Sequence, residues 1–156
     1  MNQGTILIVD DNEDVLFALN LLLKPHFRKV KVSTTPDRIA QFMESDDPDV
    51  ILLDMNFSRD ASSGQEGMEV LHDILKRDAE AVVVMMTAYS DMSKAINAIK
   101  AGATDFVAKP WENEKLIATL TAAAKLRQAR REKASLQKQM EGMAESSVPP
   151  IIGRSG

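Results

Sequence analysis

Residues 6–15 read ILIVDDNEDV: four aliphatic side chains, Ile6 to Val9, run without a spacer into Asp10 and Asp11, with Glu13 and Asp14 close behind. A short, continuous aliphatic run is the pattern of a strand buried on both faces of a parallel sheet. Adjacent carboxylates at the end of such a strand repel one another and lose solvation, so something in the fold must offset the cost of holding them together.

Thr5–Asp10 is the first of five short apolar runs, followed by KVKVS at 29–33, VILLD at 50–54, AVVVMMT at 81–87 and DFVAK at 105–109. KVKVS alternates polar and apolar residues, as an edge strand with one wet face does. Between the runs lie helical patterns. Val15, Leu16, Leu19, Leu22 and Leu23 form an apolar stripe that ends before Pro25. Thr35-Pro36 reads as an N-cap with proline at the first helical position, ahead of Ile39 and Phe42. Met68, Leu71, Ile74 and Leu75 make a third stripe. A fourth helix starts at Asp91, with Ile96 and Ile99 expected inward and Gly102 as its stop, and a fifth starts after Pro110. Strand–helix alternation of this kind predicts a doubly wound α/β fold with right-handed crossovers.

At 156 residues, 44% hydrophobic and 27% charged, the chain has room for one ordinary domain and a short appendage. It has no cysteine, so thiolate metal sites and disulfides are excluded. Neither a signal-peptide pattern nor a membrane-spanning run is present, and a cytoplasmic protein is expected. Residues 1–124 hold 12 Lys and Arg against 20 Asp and Glu, whereas residues 125–156 hold 7 against 3, which together give the net charge of −4. The acidic part is a poor partner for nucleic acid. The basic stretch from Lys125 to Lys138 reads as a solvated helix face. From Glu114 to Met143 there is no proline, and Leu126, Ala129, Lys133, Leu136, Met140 and Met143 succeed each other at three- and four-residue steps, a weak coiled-coil seam. The expected organisation is a domain over 1–124, a helical dimerisation linker over 125–145 and a flexible segment over 146–156.

In an open parallel sheet, ligands bind outside the carboxyl ends of the strands. The first strand ends at Asp10-Asp11, the third at Asp54, the fourth at Thr87 and the fifth at Lys109. Three carboxylates, a hydroxyl and an ammonium thus converge on one end of the sheet. A hard divalent cation such as Mg²⁺ relieves the repulsion among the acids. It also lets a carboxylate attack phosphorus. Thr87 can donate to a phosphoryl oxygen, and Lys109 supplies a mobile point charge.

This joint pattern, DD after the first strand, D ending the third, T-A after the fourth and K-P after the fifth, resembles the response-regulator receiver domain over residues 5 to about 124. The resemblance implies a flavodoxin-like five-stranded parallel sheet of order 2-1-3-4-5 with five helices, the last extended into a linker. It implies Asp54 as phosphoacceptor and Mg²⁺ held by Asp11, Asp54 and the backbone carbonyl of Asn56, with Asp10 holding the metal through water. Thr87 and Lys109 would bind the phosphoryl group, Lys109-Pro110 would be cis, and Phe106 would be a switch aromatic. A sensor histidine kinase is the implied phosphoryl donor, and the domain itself catalyses the transfer. The stretch TAYSDMSKAINAIKAGATDFVAKPW is similar to receivers of nitrogen-regulator-type activators, and PPIIGRSG is similar to the opening of their AAA+ ATPase domain. No GxxxxGK[ST] loop is present. The chain therefore reads as a receiver and linker cut just inside the next domain. Its implied output is a homodimer through the fourth helix, fifth strand, fifth helix and linker.

Gly67 lies thirteen residues after Asp54, where receivers reach a glycine after about eight, and Ser58 takes the usual proline position. A longer, polar loop is expected beside the site. Three other readings compete. A haloacid-dehalogenase-like phosphatase needs an acid two residues after its nucleophile, where this chain has Asn56. A flavodoxin-like electron carrier would find its flavin phosphate repelled by DDNED. A degenerate receiver acting only as an interaction module is opposed by the complete acidic, hydroxyl and lysine set.

Overall fold

The computed structural model describes residues 4–55 and 65–147. Asn56, Ser58 and the rest of the long loop up to Gly64, the IIG segment and the side chain of Met143 lie outside the described residues.

Five strands, β1 (Thr5–Val9), β2 (Lys29–Ser33), β3 (Val50–Asp54), β4 (Val83–Ala88) and β5 (Asp105–Lys109), form one parallel sheet of order β2-β1-β3-β4-β5. The helices are α1 (Glu13–Leu23), α2 (Ile39–Ser45), α3 (Gln65–Arg77), α4 (Met92–Lys100) and α5 (Asn113–Ser147). The expected flavodoxin-like order is the one found. Alternate side chains of each buried strand point to opposite faces, and this splits the core in two. Ile6, Ile8, Val50, Leu52, Val84 and Met86 meet Leu16, Leu19 and Leu23 of α1 and Leu116 and Leu120 of α5. Leu7, Val9, Ile51, Leu53, Val83 and Met85 meet Ile39 of α2, Leu71 and Ile74 of α3 and Ala98 of α4. β2 is the edge strand expected, but Val32 is exposed and only Val30 packs against the core.

Thr35 caps a single 3-10 turn, Pro36–Arg38, that leads into α2, its hydroxyl accepting from Asp37 N at 3.1 Å. α4 corrects the sequence reading. Ile96 and Ile99 are exposed, and Ala95 and Ala98 are the buried positions. Both pairs recur at helical spacing, so periodicity alone cannot choose between them. Close approach chooses: the helix presents its small side chains to the sheet. Gly102 ends the helix at φ 118°, a conformation only glycine adopts without strain.

Gly67, in the first turn of α3, accounts for the spacing after Asp54. A Cβ built there would lie 2.4 Å from the carbonyl oxygen of Met55, the residue next after Asp54. α3 therefore leans on the backbone at the carboxyl end of β3, and the extra residues fall before that contact. Gly67→Ala gains up to about 1 kcal/mol of helix propensity, yet displacing backbone in a packed contact costs about 1–3 kcal/mol. The variant is expected to be less stable than the parent by about 1 kcal/mol in urea denaturation; an unchanged or raised midpoint would refute the close-approach role.

Candidate functional site at the carboxyl end of the sheet

Strand register builds the site. β1 and β3 pair from Ile6↔Val50 to Val9↔Leu53, so the next residue on each strand brings Asp10 beside Asp54. β3 pairs Asp54 with Met86, and β4 pairs Thr87 with Ala108 and Ala88 with Lys109. The acids, the hydroxyl and the ammonium meet because parallel strands of nearly equal length end together. The backbone turns between β1 and α1 through Asn12, whose amide donates to Asp10 Oδ1 at 2.9 Å. The Asn12 side chain caps α1 by accepting from Asp14 N at 2.9 Å and Val15 N at 3.3 Å.

This cap divides the acids of the opening stretch into two groups. Glu13 and Asp14 are exposed and sit in the first turn of α1, where a helix N-terminus favours negative charge. Asp10, Asp11 and Asp54 face one another, with one carboxylate oxygen from each lying within 4.8 Å of the others. Sequence reasoning missed the cap, although an asparagine ahead of an acidic first turn announces it.

Asp10 and Asp54 are buried, at 2% and 5% exposure, and Asp11 is half-buried. Lys109 Nζ lies 2.9 Å from Asp10 Oδ2 and 3.4 Å from Asp54 Oδ1. Burial opposes the charge on Lys109, but the nearby Asp54 charge and the hydrogen bond and charge of Asp10 outweigh it, and the ammonium titrates above its ordinary value. Three carboxylates against one ammonium leave an excess of two acidic groups. That donor set, all hard oxygen and partly open to solvent, suits a divalent cation of the Mg²⁺ type.

Thr87 is 1% exposed, and its Oγ1 has no hydrogen-bond partner among the described residues. A buried hydroxyl in that state costs about 1–3 kcal/mol, and it stands at the strand end beside the acids, where an acceptor oxygen on a bound group would satisfy it. The Lys109-Pro110 bond is cis, as the sequence reading expected. Phe106 is half-buried against the α3–α4 side of the core and lines a cavity of about 310 Å³ with Tyr89, Met92, Trp111 and Lys115. Trp111 packs against the α1–α5 side and donates from Nε1 to Asn113 Oδ1 at 3.1 Å. Of the candidate residues, Asp10, Asp11, Asp54, Thr87 and Lys109 are gathered at the carboxyl end of the sheet, and Phe106 stands three residues before Lys109 on β5. The metal-binding role expected of Asn56 lies outside the described residues.

Among the described residues no helix is long and apolar enough to cross a membrane. An NtrX-like response regulator of Rickettsia bellii is 29% identical over 132 residues, which cover 85% of this chain and 27% of that protein. The chain thus spans about a quarter of the length of such curated relatives. The N-terminal signal receiver domain of a two-component response regulator from Bacteroides fragilis is 47% identical, with a TM-score of 0.72 over 78% of this chain and 96% of that one. NtrX from Brucella abortus, solved in complex with ADP, is 26% identical with a TM-score of 0.76, over 88% of this chain and 30% of its own. The sequence model of the response regulator receiver domain matches residues 6–121. Fold, strand-end constellation and sequence likeness agree, and the chain belongs to the response regulator receiver domain family.

Proposed function

We propose that this receiver is a phosphorylation-controlled switch that takes a phosphoryl group on Asp54 from a phosphohistidine of a sensor kinase. The observation that carries the reading is the buried Thr87 hydroxyl, without a hydrogen-bond partner among the described residues, set at the same end of the sheet as three facing carboxylates and Lys109. A carboxylate cluster alone would suit many cations. A hydroxyl and an ammonium beside it suit an anionic group as well.

In the transfer, an Asp54 oxygen attacks phosphorus, the phosphorus–nitrogen bond to the donor imidazole breaks, and the imidazole leaves. Asp11, Asp54 and the Asn56 carbonyl would hold Mg²⁺, with Asp10 acting through water. When bound, the cation screens the acids from the incoming phosphoryl group and neutralises charge on its oxygens. Lys109, now shared between Asp10 and Asp54, would turn to one phosphoryl oxygen. Thr87 would donate to another, and its movement would leave space for Phe106 to turn inward. The face formed by α4, β5 and α5 would then change. The chain would catalyse this transfer onto itself and the slow hydrolysis of the aspartyl phosphate.

The output we propose is a homodimer through that face and the α5 extension. Leu126, Leu136 and Met140, expected as seam positions, are all exposed in the single chain. In the full-length protein the linker would control a downstream AAA+ ATPase that activates transcription, a reading that rests on likeness to NtrX-type regulators. Residues 1–124 as receiver, 125–145 as linker and 146–156 as the opening of the next domain remain our proposed division. The setting is the cytoplasm, with no direct contact to nucleic acid by this fragment.

Incubation with acetyl phosphate and Mg²⁺ should add one phosphoryl group by intact mass, absent without Mg²⁺ and absent in Asp54→Asn. No adduct under rapid quenching would instead favour a degenerate interaction module. Thr87→Val replaces an unpartnered buried hydroxyl with a methyl group of similar shape. It should leave stability unchanged or raise it by about 1 kcal/mol, while slowing phosphorylation by about tenfold or more through loss of a donor to the transferring group. A destabilised variant would mean that the hydroxyl has a partner in the protein.

A further inference from the structure

The basic stretch after residue 124 is not a wholly solvated face. α5 runs unbroken from Asn113 to Ser147, 35 residues or about 50 Å at 1.5 Å per residue. Where it passes the amino end of the sheet, three arginines turn back onto the acidic loops that feed β3 and β4. Arg127 is buried, at 8% exposure, and its Nη2 lies 2.6 Å from Asp78 Oδ2 and 3.3 Å from Asp47 Oδ1. Arg130 Nη1 donates to the Glu80 carbonyl at 3.1 Å, with its Nε 3.6 Å from the Glu80 carboxylate. Arg131 pairs with the Asp49 carboxylate and donates from Nη2 to the Asp47 carbonyl at 2.9 Å.

The receiving loop is itself built to be held. Asp47 has φ 45°, a left-handed conformation that aspartate tolerates better than most residues. Asp49 is buried, and its Oδ2 accepts from the backbone amide of Thr5 at 2.7 Å, at the start of β1. The arginines therefore grip the starts of the strands whose far ends carry Asp10, Asp54 and Thr87. Burial opposes the charge on Arg131, but the hydrogen bond and charge of Asp49 and the charge of Asp47 outweigh it, so its guanidinium titrates above the ordinary arginine value.

An isolated surface ion pair contributes little, about 0–1 kcal/mol. Three residues within five positions of one helix, each also bonding a carbonyl or sharing a carboxylate, act together on its position. Helical geometry then fixes rotation. At about 100° per residue, with Leu126 at the origin, the three arginines fall between about 40° and 140°. On the same scale Leu126, Ala129, Lys133, Leu136 and Met140 fall between about 280° and 360°.

We infer that Arg127, Arg130 and Arg131 form a clasp that makes the start of the linker helix part of the receiver's folded unit and sets the rotation at which that helix leaves the domain. The clasp turns the apolar seam away from the receiver's own surface, and the linker leaves as a continuation of the domain at a fixed rotation. It acts on the helix and does not depend on phosphoryl chemistry, so the failure of one proposal leaves the other standing.

Hydrogen exchange of the full 156-residue chain tests it. In the parent, amides of residues 125–131 should exchange as slowly as those of 116–124. In the triple variant R127Q/R130Q/R131Q they should exchange about tenfold faster, with the sheet amides unchanged. Should that variant lose its sheet protection, the parent in about 1 M NaCl serves instead, since salt screens the partly exposed pairs. Exchange at 125–131 should then rise several-fold while the sheet holds. Fast exchange at 125–131 in the parent, or protection there unmoved by the folded triple variant, overturns the clasp. With an unfolded variant, protection unmoved by salt overturns it equally.

Discussion

The whole arrangement depends on parallel register. β1 and β3 are aligned so that their last apolar residues, Val9 and Leu53, are partners. The next residues, Asp10 and Asp54, must therefore share one small volume at the strand ends. Asp11 joins them because the chain turns there into the Asn12 cap of α1. Hydrophobic burial on both faces holds the register, since a one-residue slip would send every core side chain to the opposite face. The core thus enforces an electrostatic conflict that the local sequence would not tolerate alone. Lys109 relieves part of it from the end of β5.

A conflict of this kind is useful in a switch. Groups that repel one another in the resting state favour whatever cation or charged group relieves the repulsion, and the fold need not be rebuilt when it does. The Thr87 hydroxyl, buried without a partner among the described residues, is a second tension at the same place. The acids are held by the ends of β1 and β3 and the hydroxyl by the end of β4, and Phe106 on β5 is only half-buried. The opposite end of the same strands is tied to α5 through Asp47, Asp49 and Asp78. The same strands thus carry the site at one end and hold the middle of α5 at the other.

The strands and the strand-end residues were legible in the sequence because burial on two faces leaves a continuous apolar run, and the first polar residue beyond such a run stands at the sheet's edge. Asp10, Asp54 and Thr87 are placed in this way, Asp11 follows Asp10, and Lys109 is placed by the end of the shorter, less buried run DFVAK. Other features needed three dimensions. Ile96 and Ile99 are more hydrophobic than Ala95 and Ala98, yet a helix packed closely on a sheet buries the smaller pair. A cation on a helix looks solvated in sequence, and nothing local showed that Arg127 and Arg131 meet loops some eighty residues earlier. Gly67 looked displaced, until its contact with Met55 showed that it meets the end of β3 despite the longer loop.

One carboxylate oxygen from each of Asp10, Asp11 and Asp54 lies within 4.8 Å of the others, and a divalent cation would relieve the repulsion among them. Urea denaturation with and without millimolar Mg²⁺, for the parent chain and Asp11→Asn, tests it most directly. Mg²⁺ should stabilise the parent by about 1–3 kcal/mol through preferential binding to the folded state. Asp11→Asn should be the more stable chain without Mg²⁺ and should gain much less from adding it. Equal Mg²⁺ responses would mean that Asp11 takes no part in holding a cation, and a variant less stable than the parent without metal would mean that the acids do not strain the fold.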